Sequence, residues 1–177
     1  MTRRSIPFAF LLILFASISG EATTVKGLSD SQLTRSASRV FRGKVVETRS
    51  ELAVDGRIVT RVRFEVNESL KGTAAPVVEL LQPGGTFAGR TLVVAGAASF
   101  SSGEEVVVFV GKVCPRTGCA FTVGLAQGKY RVVRDSGPAR VQRRLGGLTF
   151  VGPRPASQRR LLSDLLGSVR TAVESNK

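Results

Sequence analysis

Cys114 and Cys119, the only two cysteines, lie in the stretch GKVCPRTGCAF and are the residues best suited to chemistry. Between them, Pro115 and Gly118 favour a turn, and the apolar residues on either side look like strand ends. In an oxidising compartment we expect the pair to form a disulfide across a β-hairpin. Closing so short a loop stabilises a protein by about 2 kcal/mol through chain entropy. Free thiols, a redox pair and a metal site are the alternatives.

The absence of histidine limits the chemistry of this chain. A zinc site at the cysteines needs two more ligands, and the chain has no His and no third Cys. Redox pairs more often have the spacing Cys-x-x-Cys at the start of a helix. Ser-His-Asp and Cys-His catalytic arrangements are excluded as well. We therefore expect no metal, no cofactor and no enzymatic activity.

Two short motifs resemble parts of enzyme signatures, but turns explain them better. The DSG at Asp135–Gly137 matches the core of aspartic proteases, yet Arg134 and Pro138 flank it, whereas those proteases use paired sites on apolar loops. GLAQGK at Gly124–Lys129 is one residue shorter than a P-loop, and no helix is predicted after it to receive phosphate. We predict a turn at each.

The N-terminus has the features of a secretory signal peptide over residues 1–22. Arg3 and Arg4 precede the apolar run IPFAFLLILFASI, which is too short to span a bilayer. Small residues allow cleavage after Gly20 or Ala22, and both the general and the twin-arginine export routes stay open. The alternative is an uncleaved anchor. We expect an exported protein, in the periplasm or outside the cell.

Positive charge is the main compositional signal. The chain has 26 Lys and Arg against 13 Asp and Glu, and ten of the basic residues but only three of the acidic ones fall within residues 131–177. Such a field attracts anionic partners, although a generally Arg-rich proteome is an equally good explanation. The candidate anion-binding residues are Arg140, Arg143, Arg144, Arg154, Arg159 and Arg160.

Nucleic acid is a poor candidate among the anionic partners. Proteins that bind single strands interleave basic residues with exposed aromatic rings on which bases stack. Phe64 lies near Arg61 and Arg63, but the alternation of the strand places its ring on the apolar face. Export also separates the protein from most nucleic acid.

A short helix and a long hairpin are predicted to open the mature chain. Ser29 with Gln32 fits a capping box, so we predict a helix over residues 30–37. In the following strand, Phe41 and Val45 should point inward, with Gly43 allowing another segment to approach. The clearest strand follows the Asp-Gly turn at 55–56, and it alternates strictly until about residue 68.

Further short apolar runs make the domain mainly β. They include VVELLQP, LVVAGAA, VVVFV, CAFTVGL and KYRVV, and VVVFV is apolar on both faces, which indicates a central strand. Five to seven strands at regular turn spacing are typical of a small barrel or a sandwich.

The C-terminal part divides into a connector and a helix. Residues 136–156 are rich in Gly, Pro and Arg, so we predict an extended, poorly packed connector. Residues 157–174 place leucines at helical spacing after Ser157, a candidate cap. We expect this amphipathic helix to pack on the β domain; the alternative is a helix that lies on an anionic membrane surface.

The order of these elements resembles the netrin-like fold, an OB-type barrel typified by the tissue inhibitors of metalloproteinases. It looks even more like a group of uncharacterised bacterial exported proteins, in which LKG, QPGG, F-x-x-GEE and GLAQGK recur with a helix like LLSDLLGSVR. The likeness covers residues 28–174 and is specific only as a set. It implies an OB-like β-barrel domain over residues 23–135, with a short N-terminal helix and a C-terminal helix.

The resemblance implies a fold for this chain, but not the inhibitory mechanism. The inhibitors chelate a protease zinc ion through an N-terminal Cys, whereas this chain has no Cys before Cys114. Bacterial relatives of this group often occur near matrixin-type metalloproteases, which implies an exported protease as partner. We therefore expect a non-enzymatic exported binding module that engages another protein. The alternative is a basic envelope protein that binds anionic lipid or polysaccharide through residues 131–177.

Overall fold

The computed structural model describes residues 22–155 and 159–176. Residues 1–21 of the predicted signal peptide and the predicted cap Ser157 therefore lie outside the described residues. In the described part, no helix is long and apolar enough to cross a membrane. The helices are α1 (Asp30–Ser36), α2 (Leu162–Glu174) and the 3-10 helix Leu125–Gly128. The strands are β1 (Thr23–Lys26), β2 (Arg39–Leu52), β3 (Ile58–Lys71), β4 (Val77–Pro83), β5 (Gly85–Phe87), β6 (Arg90–Leu92), β7 (Glu105–Val110), β8 (Lys129–Val133), β9 (Arg140–Gln142), β10 (Leu148–Val151) and β11 (Arg160–Leu161).

Helix α1 is held at both ends by polar side chains. Its predicted capping box is confirmed: the Gln32 N–H donates to Ser29 Oγ at 3.2 Å, and the Ser29 N–H donates to Gln32 Oε1 at 2.8 Å. At the other end, Lys71 Nζ donates to the carbonyls of Thr34 and Ala37, both at 2.6 Å. These bonds satisfy carbonyls that the end of a helix leaves without partners.

Strands β2 and β3 form the predicted long hairpin at the centre of the fold. Phe41 and Val45 are fully buried, as predicted. A Cβ atom on Gly43 would lie 2.5 Å from the carbonyl oxygen of Glu65, so the predicted close approach at this glycine is confirmed. Strand β3 continues beyond its predicted end, because the start of β2 pairs with Lys71 and supplies the additional hydrogen-bond partners.

Strand β7 is central, as its apolar run predicts. It pairs with β2 on one side and β8 on the other, and every residue from Val106 to Val110 is buried. Val107 and Phe109 face a core cluster that includes α1 and α2, whereas Val106 and Val108 face a second cluster around Phe41. Because neighbouring side chains point to opposite faces, an apolar run buries both faces of the sheet.

The prediction of a closed barrel is wrong. The main sheet has the order β11-β9-β8-β7-β2-β3-β4, and among the described residues no ladder joins its edge strands β11 and β4. The predicted strand CAFTVGL contributes only isolated bridges at Ala120 and Thr122. The segment around Ala120, rather than the opposite edge strand, covers β4, and the Leu81 N–H donates to the Ala120 carbonyl at 3.0 Å. The sheet therefore stays open. The described residues form a mainly β structure with two α-helices.

Residues 136–155 are more ordered than the loose connector that was predicted over residues 136–156. They contain β9, which joins the main sheet, and β10, which pairs in parallel with β1. Val141, Leu145 and Leu148 are buried. Strands of three or four residues are too short to give a clear alternation, so composition alone suggested a loop.

Helix α2 packs its leucine stripe into the core beside α1. It begins at Leu162, directly after β11, rather than at residue 157. Leu165 and Val169 are fully buried, and Leu162 and Leu166 nearly so. The apolar face of this helix is therefore occupied by contacts within the protein.

Candidate binding cleft

Strands β8 and β9 determine which polar side chains share a face. Val132 is the Cα partner of Val141, and Tyr130 and Arg143 lie two positions away on these segments. Because side chains alternate along a strand, Tyr130 and Arg143 share the face that packs towards α1 and α2. Arg131 lies on the opposite side of the sheet.

Tyr130 belongs to a hydrogen-bonded network with Asp30 and Arg160. Its hydroxyl donates to Asp30 Oδ1 at 2.5 Å, and Arg160 Nη2 donates to Asp30 Oδ2 at 2.5 Å. The guanidinium carbons of Arg143 and Arg160 lie 4.8 and 5.4 Å from the centroid of the Tyr130 ring, within cation–π range. Burial raises the pKa of Tyr130, so this hydroxyl keeps its proton and acts as the donor.

A cleft of about 450 Å³ opens beside this network. Leu28, Pro153 and Pro155 give it apolar walls, and Arg154 lies exposed at its rim with its guanidinium carbon 5.6 Å from the Phe150 ring centroid. We call this site the basic cleft, and its main lining residues are Leu28, Asp30, Tyr130, Arg143, Pro153, Arg154, Pro155 and Arg160.

The charge of the basic cleft favours an anion. Three arginines and one aspartate line it, which gives a formal charge of +2. Arg143 is only 6% exposed and donates from Nη1 to the Leu28 carbonyl at 3.4 Å, so its position is fixed before any ligand arrives. An anionic group beside apolar side chains matches these walls best.

The structure brings together three of the six arginines that the sequence proposed for anion binding. Arg143, Arg154 and Arg160 line the basic cleft. Arg144 lines a different cleft, Arg159 pairs with Asp135 at 3.0 Å, and Arg140 is exposed on β9.

Sequence reasoning missed Asp30 and Tyr130 as members of the site. Tyr130 is the only tyrosine of the chain and stands between Lys129 and Arg131, a signal that could have marked it. Asp30 had no such signal, because Arg160 is 130 residues away along the chain and only the fold brings the two together.

The predicted disulfide is absent, and both cysteines are free thiols. The segments that flank the loop do pair as in a hairpin: Val110 and Thr122 form an antiparallel bridge, and the Gly111 N–H donates to the Phe121 carbonyl at 2.9 Å. The turn of this loop is closed by the backbone: the Gly118 N–H donates to the Cys114 carbonyl at 2.9 Å, and the Cys114 N–H donates to the Cys119 carbonyl at 2.8 Å. Arg61 Nη1 lies 3.6 Å from Cys119 Sγ and donates to it.

In the reduced chain, Cys114 should stay reactive to a lower pH than an ordinary thiol. The Arg116 N–H donates a hydrogen bond to its sulfur and has the largest effect in lowering the pKa of Cys114. A hydrogen bond from the Thr117 side chain lowers this pKa further. A lower pKa preserves the nucleophilic thiolate as the pH falls. The rate of iodoacetamide alkylation should be measured against pH in a Cys119→Ser variant, folded and in urea. Identical profiles in the two states would contradict this prediction.

In the described ranges, 22–155 and 159–176, no group of three or more His, Cys, Asp or Glu residues is placed to hold a metal ion. The fold and the cleft together define a mainly β protein, with two α-helices among its described residues and a basic, partly apolar cleft. No family model and no curated protein matches the chain. The netrin-like resemblance therefore stays a prediction.

Proposed function

We propose that this chain is a non-enzymatic exported binding module whose basic cleft holds an acidic segment of another protein. The observation that supports this most is the combination of apolar walls with fixed guanidinium groups in one cleft. A carboxylate side chain of a partner could pair with Arg154 or Arg160, while a neighbouring apolar side chain packs on Leu28 and Pro153. Arginine at such sites gives both affinity and orientation.

An exported metalloprotease is the leading candidate partner. This proposal rests on the resemblance to netrin-like proteins, whose order of a short helix, a long hairpin and a C-terminal helix is also the order of α1, β2, β3 and α2. We propose that the chain is an open-sheet relative of that OB-type fold. Since no Cys precedes Cys114 in this sequence, its contact with a protease would use charge and shape rather than chelation of zinc.

Binding of the chain to an anionic envelope through residues 131–177 is the alternative. A helix that lies on a lipid surface must expose an apolar face, and the leucine stripe of α2 is buried. This burial favours a protein partner over a lipid surface. An acidic polysaccharide would still be attracted by the exposed arginines and is tested beside the protease.

Arg154→Glu should weaken binding of a matrixin-type metalloprotease from the same secretome at least tenfold, or about 1.4 kcal/mol. Arg154 is exposed, so reversing its charge should leave the fold intact. The matched control is Arg90→Glu, an equal charge reversal on the exposed strand β6. Titration on the immobilised chain at two salt concentrations measures the effect, since rim charges act through screened electrostatics.

Equal binding by both variants would contradict the assignment of the basic cleft. Failure of the protease to bind, with saturable binding of a polyuronate instead, would favour the envelope alternative.

A further inference from the structure

A second cleft lies on the side of β8 opposite the basic cleft. Lys129 and Arg131 alternate with Tyr130 and therefore share this side, and the Cα partner of Arg131 across the sheet is Gln142. Together with Arg144 and the turn Ser101–Gly103, they line a cleft of about 350 Å³. We call it the polar cleft, because charged, amide and hydroxyl side chains form most of its walls.

A buried ion pair forms the inner wall of the polar cleft. Lys129 Nζ donates to Glu104 Oε2 at 2.7 Å and to the Ser99 carbonyl, and it lies 4.4 Å from the centroid of the Phe100 ring. The side chains of Lys129 and Glu104 are only 13% and 10% exposed. These contacts hold the ammonium group in one place.

The positive charges of the polar cleft exceed what its own carboxylate can neutralise. Burial lowers the pKa of Lys129, and the nearby charges of Arg131 and Arg144 lower it further, although Glu104 opposes them. Three cations against one carboxylate leave a formal charge of +2. An entering anion would relieve the repulsion among the three cations.

The two arginines of the polar cleft have donors to spare. Arg131 makes a long ion pair with Glu104, at 3.7 Å from Nε, and its side chain is 50% exposed. Arg144 is exposed, and among the described residues it has no ion pair or hydrogen bond from its guanidinium. Neither guanidinium is therefore fully used within the protein.

We propose that the polar cleft binds a phosphate monoester group, which either a small polar molecule or a lipid headgroup can present. A phosphate monoester has a charge of about −1.5 to −2 at neutral pH, which matches the formal charge of the cleft. The guanidinium groups of Arg131 and Arg144 supply charge-assisted donors from the sheet side, and the hydroxyl of Ser101 lies on the facing turn. The volume exceeds that of a phosphate group and leaves room for a glycerol- or sugar-sized carrier.

Glycerol 3-phosphate should bind the intact mature chain in a titration calorimeter, and the double variant Arg131→Gln/Arg144→Gln should lower the affinity at least tenfold. The matched control is Arg63→Gln/Arg90→Gln, which removes two charges from exposed positions on β3 and β6 and should change the affinity less than twofold. Constant ionic strength keeps general screening equal in all samples. Circular dichroism verifies that each variant is folded.

Vesicles that contain phosphatidic acid form a second arm, since a lipid headgroup presents the same phosphate monoester. In either arm, the proposal is supported if the Arg131/Arg144 variant loses binding while the control variant keeps it. The probe that binds shows whether the ligand is a soluble molecule or a lipid. Absence of saturable binding to both probes, or an equal loss in the control, would overturn it. Arg154→Glu should leave phosphate binding unchanged, so this site and the basic cleft succeed or fail separately.

Discussion

Replacing Phe64 by alanine is expected to lower the free energy of unfolding by about 3–5 kcal/mol. The side chain is fully buried near the middle of β3. Its ring makes edge-to-face contacts with Phe41 and Phe100, with centroids 5.4 and 5.2 Å away. Such aromatic pairs contribute about 0.5–1.5 kcal/mol each beyond the burial of their area. The variant leaves a cavity in a core that the rigid sheet cannot close.

Phe87→Ala is the matched control for this prediction. It removes the same atoms from a side chain that is 37% exposed, on the short β5–β6 pair outside the main sheet. We expect a loss of no more than about 1 kcal/mol. Urea unfolding followed by circular dichroism measures both variants, and an unchanged m-value verifies that the denatured states are comparable. Similar losses at the two positions would contradict the central role of the Phe64 ring.

The sequence reveals most about Phe64 and its neighbours, because their signals are local. Strict alternation along β3 identifies Phe64 as inward-facing, and the pair Ser29 and Gln32 marks the start of α1 within four residues. Gly43 can be recognised because a strand interior tolerates glycine poorly unless another segment approaches closely. Each of these features depends on the types and spacing of a few residues that are adjacent in sequence.

Sheet closure and the short strands could not be predicted in the same way. Whether β4 meets another strand depends on where the segment around Ala120 settles, and its single backbone bond to Leu81 has no signature in the sequence. The strands β9 and β10 are too short for periodicity to separate them from a loop. The cysteines illustrate the same limit, because their spacing fits a disulfide as well as a turn that the backbone alone closes.

The candidate arginines show what charge composition leaves undecided. All six lie within residues 140–160, and composition treats them as one patch. The fold instead separates Arg143, which lies over the Tyr130 ring, from Arg144, which lines the cleft of Lys129. Arg140 and Arg159 line neither cleft. A patch that looked continuous in sequence is two clefts with different walls, and each can have a ligand of its own.

Replacing Asp30 by asparagine should lower the free energy of unfolding by about 2 kcal/mol. Asp30 accepts hydrogen bonds from both Tyr130 and Arg160, and its side chain is only 16% exposed. Removing one member of a fully buried ion pair costs about 3–5 kcal/mol. Because Arg160 is 35% exposed, solvent screens part of that penalty. The asparagine keeps the shape of the side chain, so the change reports on charge and hydrogen bonding.

Asp135→Asn is the matched control, since it removes the carboxylate from another Asp–Arg pair that is 65% and 50% exposed. We expect it to change stability by no more than about 0.5 kcal/mol, as solvent screens exposed pairs. Combining Asp30→Asn with Tyr130→Phe should give a coupling energy of about 0.5–3 kcal/mol in a double-mutant cycle, because the two groups share one hydrogen bond. Additive effects would show that Asp30 acts through Arg160 alone. Equal losses of stability for Asp30→Asn and Asp135→Asn would show that the network of Asp30, Tyr130 and Arg160 does not stabilise the basic cleft.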